Sequence, residues 1–143
     1  MKILMSGLVH FYFGDRIKAF ETGLGTIIRS EGHSLKTMLI IFDDNYNWIK
    51  NLDHRNHFQI QIISKTDIIN LGLKAFKSLF SVNNRTILVA NVDFFLYCSQ
   101  ISINDFINTI ERIKPKNEII LTSEEMIEEL VQIADYASEF STS

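Results

Sequence analysis

The residues whose types and order could do chemistry sit at one junction, Gly14-Asp15-Arg16-Ile17-Lys18-Ala19-Phe20-Glu21. Upstream, residues 8–13 form a short apolar run rich in aromatic and β-branched side chains, which reads as a strand, and Gly14-Asp15 turns the chain out of it. Downstream, over residues 19–30, Phe20, Leu24, Ile27 and Ile28 recur at helical spacing and share one face. A strand that runs through a glycine turn into a helix is where α/β folds hold phosphate. That chemistry needs glycines that let backbone N–H groups close on the oxygens, a Lys for the β and γ charges, and a Ser or Thr hydroxyl on Mg²⁺. Here Lys18 is followed by Ala19 and Phe20, so the hydroxyl is missing. Glu21 adds a carboxylate, which at about 6 Å from a phosphate costs roughly 3 kcal/mol per charge pair at an effective dielectric of about 20.

Other polar side chains point less sharply to a site. His54 and His57 invite a metal reading, but on a loop entering a strand they do not share a helical face, and no third ligand stands by. Cys98 is the single cysteine, so no intrachain disulfide forms, and the thiol reads as packing in a reducing compartment. Tyr46 and Trp48 lie in the polar stretch 43–55, a loop with room for one helical turn. A ring there either faces a ligand or packs at the sheet edge or a dimer contact. Glu124, Glu125, Glu128 and Glu129 read as the exposed acidic face of a helix over residues 124–134.

The elements that must position these residues alternate. Residues 37–42 are almost continuously apolar, as a central parallel strand is, and Gly32 precedes them at a helix C-cap position. Residues 57–64 alternate, with Phe58, Ile60 and Ile62 on one side, and predict a half-exposed strand toward an edge. Residues 66–80 predict one amphipathic helix with Ile68, Ile69, Leu73, Phe76 and Phe80 as its core stripe and Asp67 in its first turn. Residues 86–92 predict the central strand. A helix over 105–113 ends at Pro115, and strands follow at 118–121 and 136–140. Strand and helix in alternation predict an α/β fold, a mostly parallel sheet with helices on both faces that binds ligands beyond the carboxyl ends of its strands.

The 143 residues suit one domain, which buries roughly two-thirds of its unfolded surface. A net charge of −3 lacks the basic excess that nucleic-acid binding demands. No apolar run approaches the ~20 residues of a membrane span. Residues 1–13 lack a small-residue cleavage site and feed straight into the turn, so they read as strand rather than signal. The expected location is the cytoplasm.

The junction and its surroundings resemble the ATP:corrinoid adenosyltransferases, P-loop enzymes that move the adenosyl group of ATP to the cobalt of a reduced corrinoid. Gly7-Leu8, Tyr12, Gly14-Asp15, Leu24-Gly25, Arg29, Gly32-His33, Lys36 and Phe42 coincide with the family's opening segment without a gap. Leu121-Thr122, Glu128-Glu129-Leu130, Ala134-Asp135 and Glu139 coincide with its closing block, again ungapped. The resemblance implies a single P-loop NTPase-like (RecA-like) domain over residues 1–143, a homodimer, and ATP and a corrinoid as ligands. It lays the nucleotide-binding turn on Gly14, Asp15, Arg16, Ile17, Lys18, Ala19 and Phe20. Yet Arg16 and Lys18 replace glycines, Ala19 the phosphate-binding Lys, Phe20 the Mg²⁺-binding Thr and Glu21 the Thr after it. The family's metal-side strand ends in two carboxylates where this chain has Ala90 and Asn91. Asp93, further on, is the candidate cation or ligand contact, and Glu124 stands where the family has an Arg.

Losing the Lys alone weakens phosphate binding by about 1.5–3 kcal/mol. The joint changes predict a domain that has lost MgATP-dependent adenosyl transfer, holds no catalytic residue or metal, and works as a binding or accessory protein in cobalamin metabolism. The alternative is an active adenosyltransferase with a non-standard phosphate loop. In that reading Arg16, Lys18 and Arg29 supply positive charge, and the nucleotide and water alone hold Mg²⁺.

Overall fold

The computed structural model describes residues 7–33, 35–44 and 58–141. Tyr46, Trp48, His54 and His57 lie outside them. The chain runs β1 (Val9–Gly14), α1 (Arg16–Gly32), β2 (Lys36–Phe42), β3 (Phe58–Ile63), α2 (Lys65–Asn70), α3 (Leu73–Leu79), β4 (Arg85–Ala90), α4 (Val92–Cys98), α5 (Ile103–Ile113), β5 (Asn117–Ser123), α6 (Glu128–Ile133) and β6 (Tyr136–Phe140). The strands pair in the order β3-β2-β4-β5-β1-β6, and every pairing is parallel. Parallel strands require crossover connections, and helices lie in each of them except the β2–β3 link, most of which falls outside the described residues. Although α1 joins β1 to β2, the two strands are held apart by β5 and β4. This is the single-domain P-loop NTPase-like α/β arrangement that the alternation and the resemblance predict.

The central strands β2, β4 and β5 bury their two faces against different partners, as a period of two requires, whereas β6 is exposed. Phe11, Met38, Ile40, Phe42, Val89 and Leu121 join one core with Phe76, Phe95 and Phe106 of the later helices and with Phe80, the C-cap of α3. The Phe76 ring lies 5.1, 5.0 and 5.7 Å from those of Phe80, Phe95 and Phe106, and such pairs contribute about 0.5–1.5 kcal/mol each beyond burial. On the opposite face Leu39, Ile41, Leu88, Ala90 and Ile120 pack on Phe20 and Ile27 of α1. Gly23 allows α1 its close approach, because a Cβ there would stand 2.8 Å from Leu88 Cδ1.

Several boundaries differ from the sequence reading. Ile28, expected in the α1 stripe, is 39% exposed, because Ala19, Phe20, Gly23, Ile27 and Ser30 form the buried face instead. Gly32 is the last helical residue, and His33, with φ −96°, caps the helix without a left-handed residue. Residues 66–80 are two helices, since Leu71 is extended and Gly72 is the N-cap of α3; Ile69 is consequently exposed. The central strand stops at Ala90, and an unanticipated helix, α4, starts two residues later. α6 begins at Glu128 rather than at residue 124. Among the described residues, no helix is long and apolar enough to cross a membrane.

Candidate functional site

A single residue, Asp15, separates β1 from α1. A glycine-rich phosphate cradle inserts several residues at this point. Here the helix starts at once, and the chain uses its own acceptors to satisfy the donors that phosphate would need. Asp15 is the N-cap: its Oδ1 accepts from the N–H groups of Ile17 and Lys18, both at 3.0 Å. The Asp15 carbonyl accepts from Ala19 N at 2.9 Å. Gly14 N donates to the Glu124 carbonyl at 3.1 Å, and Asp15 N to the Phe140 carbonyl at 2.8 Å. A side-chain carboxylate thus lies at the positive end of α1, where helix N-termini otherwise receive anions.

Gly14, Lys18, Ala19 and Phe20 are committed as well. Gly14 has φ +109°, and a Cβ there would land on the Phe140 carbonyl oxygen, so this glycine serves the close passage of β1 and β6. Lys18 Nζ donates to the Ser141 carbonyl at 2.9 Å. Ala19 and Phe20 are buried under the sheet with the α1 core, and Phe20 therefore does not occupy the space where phosphate would sit. Arg16 and Ile17 are exposed, Ile17 by 66%.

Asn91, which stands where the resembled family carries an acid, acts as a clamp. Asn91, 3% exposed, adopts the left-handed conformation at φ 65° and ψ 48°, which Asn tolerates better than most residues. Its Nδ2 donates to the Phe42 carbonyl at 3.1 Å and its N–H to Thr122 Oγ1 at 3.3 Å, so it ties β2, β4 and β5 together. Asp93 turns inward to the β5–α6 loop. Its Oδ2 accepts from Glu124 N at 3.2 Å and from Glu125 N at 3.3 Å, in the loop that precedes α6.

These groups surround a cleft of about 410 Å³ beyond the carboxyl ends of the strands, the place expected for a ligand in such a sheet. Among the described residues five carboxylates line it, from Asp43, Asp44, Asp93, Glu124 and Glu125, against one guanidinium, that of Arg16. Phe94 and Tyr97 contribute rings, Tyr97 being 88% exposed. Asp44 is partly engaged as an acceptor, taking the N–H of Lys65 at 2.7 Å. Among the described residues no three His, Cys, Asp or Glu side chains are arranged to hold a metal ion. The charge pattern suits a neutral or cationic ligand and opposes a polyanion.

Two titrating groups shifted from their ordinary values lie away from the cleft, where β6 joins the sheet. Burial, with Glu118 close by, pushes the Tyr12 hydroxyl up. The Val9 N–H, 2.8 Å from Asp135 Oδ2, with the Lys114 ammonium beside it, holds the exposed Asp135 carboxyl below the usual range. On the same edge His10 Nε2 lies 3.0 Å from Glu118 Oε1, and its ring stacks on Tyr136 at 5.4 Å.

The structure thus brings Arg16 and Asp93 of the sequence-chosen residues to the cleft, while Ala19 and Phe20 go to the core. Asn91, Asp43 and Glu125 were not chosen from the sequence. The doubled acid at the end of an apolar strand, Asp43-Asp44, and the Asn directly after another were the readable signals. No family model matches this chain, and no curated protein matches its sequence.

Proposed function

We propose that this chain is a corrinoid-adenosyltransferase-like P-loop domain that does not hold MgATP and works by binding a neutral or cationic ligand in its carboxyl-edge cleft. One observation carries the reading: the Asp15 carboxylate already accepts from the amides at the start of α1. A triphosphate would have to displace that carboxylate and then face five more. Among ligands of the resembled family, a corrinoid, with an amide-rich periphery, fits such a cleft better than a nucleotide. By the same resemblance the domain associates with a second copy and serves cobalamin metabolism in the cytoplasm, where its single thiol stays reduced.

Calorimetric titration with MgATP and, separately, with a reduced corrinoid tests the reading. The expected result is no saturable heat with MgATP. Submillimolar MgATP binding with adenosyl transfer would establish the alternative, an active enzyme with a non-standard phosphate loop.

A further inference from the structure

At the opposite end of the sheet lies a second groove, of about 400 Å³, between the turn after α3 and the end of α5. Phe80, Val82, Ile113 and Pro115 make it apolar, while Arg112 and Lys116 stand on its rim. Among the described residues, neither cation has a carboxylate within ion-pair distance. The groove is rigidly built. Asn117, fully buried, donates from Nδ2 to the Val82 carbonyl at 3.0 Å on one wall and to the Ile113 carbonyl at 2.8 Å on the other. Its Oδ1 accepts from Arg85 N at 3.0 Å, and Asn84 N closes the base on the Lys116 carbonyl at 2.7 Å. A preformed groove loses little freedom when it is filled.

Such a groove suits a segment carrying acids beside a bulky apolar side chain. The chain itself presents one at its other pole. In the β5–α6 loop Glu124 and Glu125 are exposed and Met126 is 58% exposed. This loop is also held in shape, by Asp93 Oδ2 and by Ser123 Oγ, which donates to the Glu125 carbonyl at 2.7 Å.

We propose that the Glu124-Glu125-Met126 loop of one molecule seats in the Phe80/Ile113 groove of a second copy. Met126 fills the apolar floor, and the two carboxylates meet Arg112 and Lys116. The second copy thereby brings positive charge to the rim of the acidic cleft, where among the described residues Arg16 is the one cation in the lining. Because loop and groove lie at opposite poles, the contact is heterologous: each molecule offers both halves, and association continues beyond two copies unless a ring closes. Glu124 and Glu125 also line the cleft, so the contact and a cleft ligand draw on the same two carboxylates.

Sedimentation velocity on the full chain over a concentration series tests it. The weight-average mass should rise past twice the 16.5 kDa of one chain and fall back to the monomer in high salt, which screens the charge pairs. Two variants separate the halves of the contact: Arg112→Glu with Lys116→Glu blocks the groove, and Glu125→Lys with Met126→Lys blocks the loop. All four positions except Arg112 and Lys116 lie in the loop, and all four are exposed, so the fold should survive, which thermal melts check. Each variant alone should stay monomeric, whereas an equimolar mixture should form pairs and stop there. A wild-type chain that is monomeric throughout, or that stops at a symmetric dimer, or a mixture that does not pair, would overturn the proposal. As a second readout, Ser81→Cys and Met126→Cys chains in a Cys98→Ser background should give a mixed disulfide under mild oxidation. Its absence would equally count against the contact.

Discussion

Replacing Asp15 by Ala removes the acceptor for two amides of α1, Ile17 N and Lys18 N, each bonded at 3.0 Å. Loss of an N-cap costs about 0.5–2 kcal/mol. The upper half of that range applies, because two donors lose their partner and the carboxylate's interaction with the helix dipole, about 0.3–1 kcal/mol, goes with them. The expected cost is therefore about 1–2 kcal/mol, or a fall in Tm of roughly 3–8 °C for a domain of this size. Asp15→Asn keeps an acceptor and loses only the charge, so it should lie between the wild type and Asp15→Ala. Urea unfolding followed by circular dichroism, with the midpoints compared at constant slope, measures both. An Ala variant within about 0.3 kcal/mol of the wild type would show that the carboxylate is not engaged at the helix start, and the reason for excluding phosphate would fall with it.

Three further perturbations probe the frame around the site. Gly14→Ala forces a Cβ onto the Phe140 carbonyl at a positive φ and should cost about 2–4 kcal/mol; a loss below about 1 kcal/mol in the same unfolding assay would contradict this passage of β1 and β6. Asn117→Ala leaves two carbonyls and one N–H without their partner, one of these bonds being buried and two part-buried, and should cost about 2–4 kcal/mol, read as a shift of the urea midpoint; little change would mean that the two walls of the second groove are not pinned. Asp135 is held below the ordinary aspartate range first by the Val9 N–H and then by Lys114. Its stabilisation is therefore complete above the unfolded-state value and is lost as pH falls through the lower folded-state value. The urea midpoint should decline on acidification below about pH 4, and Asp135→Asn should flatten that part of the profile; an unaltered profile would contradict the assignment.

The fold was legible because apolar runs of strand length alternate with helical periodicity, and β2 and β4 are as buried as their composition requires. Boundaries were less legible wherever a tertiary hydrogen bond decides them. Periodicity carries straight through Leu71-Gly72 and through Glu124-Glu125, yet the first pair breaks a helix and the second stays in the loop before one, its amides bonded to Asp93. At the junction the residue types alone show that no hydroxyl follows Lys18. What no spacing could show is that Asp15 turns back on its own helix, or that Asn91 and Asn117 act as buried ties. Those roles depend on partners brought together from β2, β4, β5 and the turns before them. The pole-to-pole contrast between acidic loop and basic groove was hidden for the same reason, since Glu125 and Lys116 lie within one short stretch of sequence and are separated only by the length of β5.

The most direct measurement is an amide ¹H–¹⁵N spectrum of the full chain titrated with MgATP. The amides of Ile17 and Lys18 are bonded to Asp15, so their resonances should stay in place as nucleotide is added. Saturable displacement of those two signals would mean that the helix start is open to phosphate after all.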